Sequence, residues 1–191
     1  MVEFLKKGVK ILGIACSSFN RMKEKEIPLV GIVIRGATIL EGVMQSSVTV
    51  DGEDATNKIV ELVQNSTHKD QLKMIMTRGV TVAGFNYIDI KELFYLTSLP
   101  IISIVDHNPD MKKIRLAIQN VSNWEKRFEK ISQCPIRSVQ TTNNDEPVFV
   151  QSIGIEEKKI DKFLKEITIV GRIPEPIRVA RLIALAFMSQ H

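Results

Sequence analysis

Two short apolar runs rich in β-branched residues stand close together near the start of the chain. They are residues 9–15 (Val-Lys-Ile-Leu-Gly-Ile-Ala) and 28–34 (Pro-Leu-Val-Gly-Ile-Val-Ile), separated by a polar stretch at 16–20 and a charged one at 21–26. Both have the composition and length of strands. A turn at Arg35 and Gly36 leads into residues 38–44 and 47–50, which predict one or two further strands. Strands linked by short turns form an antiparallel meander.

The hydrophobic period then changes. Asp54 offers a helix-capping side chain, and Ile59, Leu62 and Val63 follow at helical spacing. Residues 72–76 predict a strand, 79–84 a loop, 86–97 a helix and 101–105 a buried strand. Strands alternating with helices indicate parallel β-α-β units. Helices are expected at 110–120, 124–131, 156–166 and 175–188, a short strand at 147–151, and a mobile loop at 139–146. The sequence holds no internal repeat. The fold class is therefore α/β: a ribonuclease H-like mixed sheet, with an antiparallel three-stranded meander followed by parallel strands, flanked by helices. A single domain over residues 1–191 is expected from this length.

Composition narrows the classes without choosing among them. With 44% apolar and 25% charged residues, global disorder is excluded. Lys and Arg outnumber Asp and Glu by 26 to 22, a net charge of +4 that suits a polyanionic partner. Two cysteines, Cys16 and Cys134, are too few for a disulfide framework or a zinc cluster, which favours a reducing, cytoplasmic setting. No stretch has the roughly 20 apolar residues of a membrane span, and the first eight residues do not read as a signal peptide. A single Trp124 argues against an aromatic platform for single strands.

Familiar nucleotide and hydrolase motifs are missing: no G-x-x-x-x-G-K-[ST], no G-x-G-x-x-G and no G-x-S-x-G. His68, His107 and His191 are scattered, so a histidine zinc site has no support. His107 follows a strand, but Asn108, Pro109 and Asp110 make the opening of a capped helix the simpler reading. Asp51, Glu53 and Asp54 put three carboxylates into four positions at a strand-to-helix junction. That pattern suits either a hard cation such as Mg²⁺ or a turn with Asp54 as helix cap. Cys16 has no histidine tied to it by any motif, so a structural thiol is expected. Arg178 and Arg181 are spaced to share a helix face; beside Arg78 and Arg172 they suit either a phosphate-holding set or a solvated helix face with a weak Glu175–Arg178 pair.

Six segments, read in order, resemble the archaeal endonuclease dU family, ribonuclease H-like relatives of endonuclease V. They are residues 9–14, 30–36, 48–56, 79–90, 99–101 and 174–180. Ala83-Gly84-Phe85-Asn86 and Pro174-Glu175-Pro176-Ile177-Arg178 are the distinctive pieces. The resemblance implies a DNA repair nuclease acting on deaminated or uracil-type bases, with Mg²⁺ or Mn²⁺ held by acidic residues. Asn86 and the arginines Arg78, Arg178 and Arg181 would meet nucleic acid.

This chain departs from the family pattern at the residues that matter most. The family's Gly-Ile-Asp-Asp stands here as Gly13-Ile14-Ala15-Cys16, its Leu-Asp-Gly as Thr77-Arg78-Gly79, and its Arg-Val-Ala-His as Arg178-Val179-Ala180-Arg181. Among the site acids only Asp51 and Asp54 remain as candidate metal ligands and catalytic residues. Metal-assisted cleavage needs several converging carboxylates. An arginine at such a position opposes the ion: +1 against +2 at about 4 Å is roughly 8 kcal/mol at an effective dielectric of about 20, before screening. The expectation is a protein that binds nucleic acid, DNA above all, with impaired or absent metal-dependent cleavage, and with a homo-oligomer or an intact paralogue as partner. The alternatives are an active endonuclease with a rearranged acid set of Asp51, Asp54 and Asp106, or a scaffold that does not touch nucleic acid.

Overall fold

The computed structural model describes residues 8–142 and 146–187. His191, the helix end expected at 188 and the centre of the loop expected at 139–146 lie outside the described residues. The strands are β1 (Lys10–Cys16), β2 (Glu26–Arg35), β3 (Ile39–Thr49), β4 (Leu72–Thr77), β5 (Thr81–Val82), β6 (Asn86–Tyr87), β7 (Ile101–Val105), β8 (Arg137–Val139) and β9 (Val148–Ile153). The helices are α1 (Ala55–Asn65), α2 (Ile90–Thr97), α3 (Met111–Ile118), α4 (Trp124–Ser132), α5 (Glu157–Glu166) and α6 (Glu175–Ala186).

Seven strands form one mixed sheet in the order β3-β2-β1-β4-β7-β9-β8, and β5 pairs with β6 in a small separate ribbon. β1, β2 and β3 are the expected antiparallel meander, with β3 one continuous strand. β4 and β7 then add in parallel to β1 through the crossovers containing α1 and α2. The strand expected at 147–151 breaks the parallel series: β9 runs antiparallel to β7 and pairs with β8 at the far edge. Hydrophobic pattern shows that a segment is a strand and says nothing of its direction, which here follows from the two helices and the strand β8 inserted after β7.

Burial on both sides explains why β1 reads as an unbroken apolar run. Leu12 and Ile14 pack with α1 and α2 on one face, while Ile11 and Ala15 pack with α5 and α6 on the other. Gly13 lies where α6 crosses β1. A Cβ there would stand 2.1 Å from the Pro176 carbonyl oxygen, so the missing side chain sets how closely α6 seats. Among the described residues no helix is long and apolar enough to cross a membrane.

One helix start and one helix cap differ from the sequence expectation. The helix expected at 86–97 begins at Ile90, because Asp89 is its cap and accepts from Lys91 N–H and Glu92 N–H at 3.1 Å each. Asn86 is left in β6, fully buried, and its side chain does the work expected of Asp54. Its Oδ1 accepts from Ala55 N–H at 3.0 Å at the start of α1, whereas Asp54 makes no side-chain cap bond. Asp110 caps α3 through Lys112 N–H and Lys113 N–H, as the capped-loop reading of residues 105–110 expected.

Candidate functional site

The C-terminal ends of β1 and β4 lie side by side, with Ile14 opposite Thr77 in parallel register. Such ends, where parallel strands release their loops, are where α/β folds place their sites. β4 stops at Thr77, whose hydroxyl donates to Gly79 O at 2.9 Å, and Gly79 turns the chain at φ +78°. The Gly79 N–H donates to Ile104 O on β7 at 3.0 Å, so Arg78 is held on a fixed turn between three strands. α6, seated against β1 at Gly13, brings Arg181 to the same place.

The result is one cavity of about 70 Å³ lined by Ile14, Ala15, Cys16, Arg78, Thr81, Val82 and Arg181. Ala15, Cys16, Arg78 and Arg181, four of the positions at which the sequence reading expects a departure from the family pattern, all line it, two of them as guanidinium groups. Arg78 pairs with Asp106 at the end of β7, both partly exposed. Arg181 has no hydrogen bond or ion pair among the described residues. Burial pushes the Cys16 thiol up, against the smaller lowering effects of the backbone at Ala83 and the charge of Arg78. Among the described residues, no His, Asp or Glu side chain lines the cavity beside the thiol to take up its proton. The cavity offers an anion two fixed or fixable cations, backed by apolar walls that weaken solvent screening.

The remaining acids lie outside this lining. Asp51, at φ +54°, accepts from Phe85 N–H at 2.8 Å and from Arg21 Nη2 at 2.7 Å. Asp54 accepts from Thr49 Oγ1 at 3.0 Å, from Thr49 N–H at 3.3 Å and from Asn86 Nδ2 at 2.5 Å. Glu53 is bound by Asn123 Nδ2 at 2.9 Å and by the buried Arg127 at 3.3 Å. Each carboxylate is thus occupied in tying β3, α1, the β5–β6 ribbon and α4 together. Among the described residues no group of three or more His, Cys, Asp or Glu side chains is gathered in a way that would hold a metal ion. Asp106, set against Arg78, does not join Asp51 and Asp54. The residues present do not fit Mg²⁺ or Mn²⁺: the lining supplies two cations, a thiol and one side-chain hydroxyl where a hard ion needs several oxygens.

Four further expectations need correction. Asn86 is fully buried and hydrogen-bonded on both ends of its amide, so it is a structural residue and not a nucleic-acid contact. Arg178 does not join Arg181. Its Nε and Nη2 bind the buried Glu175 at 2.8 and 2.5 Å, beside a different groove that runs past Leu40, Ile169 and Val170. The weak exposed pair expected for Glu175 and Arg178 is in fact anchored in the protein, with Val170 N–H also donating to Glu175 at 3.2 Å. Arg172 is likewise elsewhere, paired with Glu146 at 3.2 Å.

Sequence reading missed a second, apolar cavity of about 150 Å³ that shares Thr81 with the arginine cavity. Phe85, Val105, Pro109, Met111, Ile114, Ile131 and Ile136 form its walls. Gln151, at its base, is buried and donates to the Cys134 carbonyl at 2.8 Å. Its residues come from five separate stretches of the chain, so no local motif marks it.

Comparison with known proteins bears on the family and the fold. A family model described as Endonuclease dU matches residues 7–188. A UPF0215 protein of Methanosarcina mazei is 40% identical over 181 residues, covering 94% of this chain and 91% of that one. A UPF0215 protein of Methanopyrus kandleri is 39% identical over the same length and shares of each chain. Among solved structures, a protein of unknown function from Archaeoglobus fulgidus superposes with a TM-score of 0.81 at 30% identity, over 93% of this chain and 96% of that one. Endonuclease V of Ciona intestinalis, solved with a 24mer DNA containing an inosine followed by a ribo-adenosine, gives 0.60 at 14% identity, over 91% and 83%. That second likeness is one of fold: the mixed sheet is ribonuclease H-like.

Proposed function

This chain belongs to the endonuclease dU family, and on that premise we propose that it binds nucleic acid through the Arg78–Arg181 cavity without carrying out metal-dependent phosphodiester cleavage. The observation that carries the reading is the meeting of Ala15, Cys16, Arg78 and Arg181 in one cavity. Replacements scattered over the surface would say little about a site. Gathered in one place, they exchange a metal's ligands for built-in positive charge.

A phosphate group is the anion that such a cavity suits. Arg181 is free to approach it, and Arg78 presents a planar fork able to make two parallel hydrogen bonds to phosphate oxygens. Cleavage asks for more than binding. It needs a water made nucleophilic and a leaving oxygen stabilised, work that metal ions do when carboxylates hold them. Here Asp51 and Asp54 are spent on Arg21, Phe85, Thr49 and Asn86, and neither faces the arginines as a wall of their cavity. The phosphate would be held and not cut. The neighbouring apolar cavity, about 150 Å³ and reached past Thr81, has room for one planar ring beside the held phosphate.

Two measurements on the full chain test this. Fluorescence anisotropy with labelled DNA is expected to show binding that falls steeply as salt rises and that weakens in Arg78→Ala and Arg181→Ala. Incubation with uracil-, inosine- and flap-containing DNA in Mg²⁺ or Mn²⁺ is expected to leave every strand intact. Strand cleavage that is lost in Asp51→Ala would overturn the proposal, and so would an absence of DNA binding at low salt.

A further inference from the structure

The end of the sheet that carries the arginine cavity also carries a short turn with an unusual arrangement. β1 passes the cavity at Cys16 and enters its connection to β2, where residues 20–24 close on themselves. The N–H groups of Lys23 and Glu24 both donate to Asn20 O at 3.0 Å. Met22 N–H donates to Asn20 Oδ1 at 3.0 Å, and Asn20 N–H donates to Glu24 Oε2 at 2.6 Å. Behind the turn, Arg21 reaches Asp51 at 2.7 Å and lies 5.4 Å from the centroid of the Phe85 ring. In front of it stands Met22, 92% exposed, more than any other large hydrophobic side chain described.

A lone exposed apolar residue is ordinary on a protein surface. Met22 differs in how it is presented. The turn's own carboxylate, Glu24, is folded inward onto Asn20, and Arg21 is drawn back onto Asp51 and Phe85. Beside the Met22 thioether stand the exposed side chains of Lys23 and Lys25, neither of which has an ion pair among the described residues, while the exposed Glu26 accepts from Ser47 Oγ at 3.2 Å. A cross-linked turn holds that pattern in place without needing contact from the rest of the protein.

We infer that Met22 is an unstacking side chain, entering between neighbouring bases of the nucleic acid held at the arginine cavity while Lys23 and Lys25 meet the flanking phosphates. The inference rests on the proposed nucleic-acid binding. Methionine is unbranched and polarizable, and it lies well against aromatic faces. Apolar wedges of this type, with cations beside them, open base steps from the groove side. Charge decides against a protein groove as the occupant. Lysines are depleted from the buried centres of protein interfaces, whereas a single apolar group with cations beside it matches a base step with phosphates beside it.

The test uses the full chain and duplexes in which 2-aminopurine replaces one base at successive positions, read by anisotropy and by fluorescence at saturation. Wild-type protein is expected to raise 2-aminopurine emission several-fold at one step. Met22→Ala is expected to lose at least half of that rise with only a small change in Kd, and Met22→Leu to keep it. Lys23→Ala is expected to weaken binding while leaving the rise at saturation unchanged. Tight binding with no rise at any position, or a rise that Met22→Ala retains in full, would overturn the inference and leave the cavity reading intact. Failure of the wild-type protein to bind the duplex at low salt would overturn both.

Discussion

Asp106 at the end of β7 pairs with Arg78 just beyond the end of β4, so one of the two cavity cations is already answered by a carboxylate before any ligand arrives. A phosphate at the cavity must share or displace that partner. Asp106→Asn keeps the side chain's size and removes its charge, and is expected to tighten DNA binding by about 1 kcal/mol, or roughly fivefold in Kd, as removal of a competing partly exposed ion pair implies. Anisotropy titrations at one fixed salt concentration measure it. Unchanged or weaker binding would show that Asp106 helps the ligand instead of competing with it.

Arg181 differs from Arg78 in having, among the described residues, no partner to give up. Its substitution by Ala is expected to weaken binding about equally across DNA sequences and to reduce the slope of log K against log salt by about 1, the signature of one lost phosphate contact. Titrations at several salt concentrations, repeated on two unrelated sequences, check both parts.

The seat of α6 on β1 depends on Gly13 having no side chain, since a Cβ would collide with the Pro176 carbonyl. Gly13→Ala is expected to push α6 outward and cost about 1–3 kcal/mol, the range for overpacking a well-filled core. Arg181 travels with α6, so DNA affinity should fall in the same variant. A shifted urea midpoint with unchanged affinity would separate the two effects and deny the link.

Asn86 joins three elements through one amide: β3 at Thr49 O, the start of α1 at Ala55 N–H, and the Asp54 carboxylate. Asn86→Ala would leave Asp54 short of a donor and α1 without its cap, and is expected to cost about 2–4 kcal/mol. Chemical denaturation gives the value. A loss below about 0.5 kcal/mol, the scale of an ordinary surface change, would mean that water replaces the amide.

The acid limb of stability is expected to follow Asp89. Burial alone would raise its pKa, but the Lys130 ammonium, the Glu92 N–H and the Gln133 amide together outweigh burial and hold the carboxyl below its ordinary value. A depressed folded-state pKa adds stability that is complete above the unfolded value, near about 3.9, and is lost as pH falls through the folded one. Wild-type urea midpoints should therefore drop as pH falls below about 4. Asp89→Asn should be less stable at neutral pH and flatter in this acid range. Parallel acid limbs for the two proteins would count against this assignment.

The hydrophobic pattern was enough to place β1, β2, β4 and β7, because strands covered on both faces leave unbroken apolar runs such as Ile11 to Ala15. It also placed α1, α5 and α6, whose buried residues repeat at helical spacing. The direction of β9, the existence of β8 and the β5–β6 ribbon were not legible, since pairing partners are decided across the fold and short strands lack a period. The start of α2 was misplaced because Asn86, Asp89 and the residues between them carry both turn and helix signals, and the side-chain network around Asp54 chose between them.

The chain's own sequence determined the chemistry of the site: which groups stand at positions 15, 16, 78 and 181, and hence the sign of the charge there. Only the tertiary structure decided that these four meet in one cavity, that Arg178 turns instead to the buried Glu175, and that Asp51 and Asp54 are bound to neighbours outside the cavity lining. The physical reason is that charge and hydrogen-bonding capacity belong to single residues. Whether two such groups share a space depends on strand register and helix seating, which residues far apart in the chain fix together.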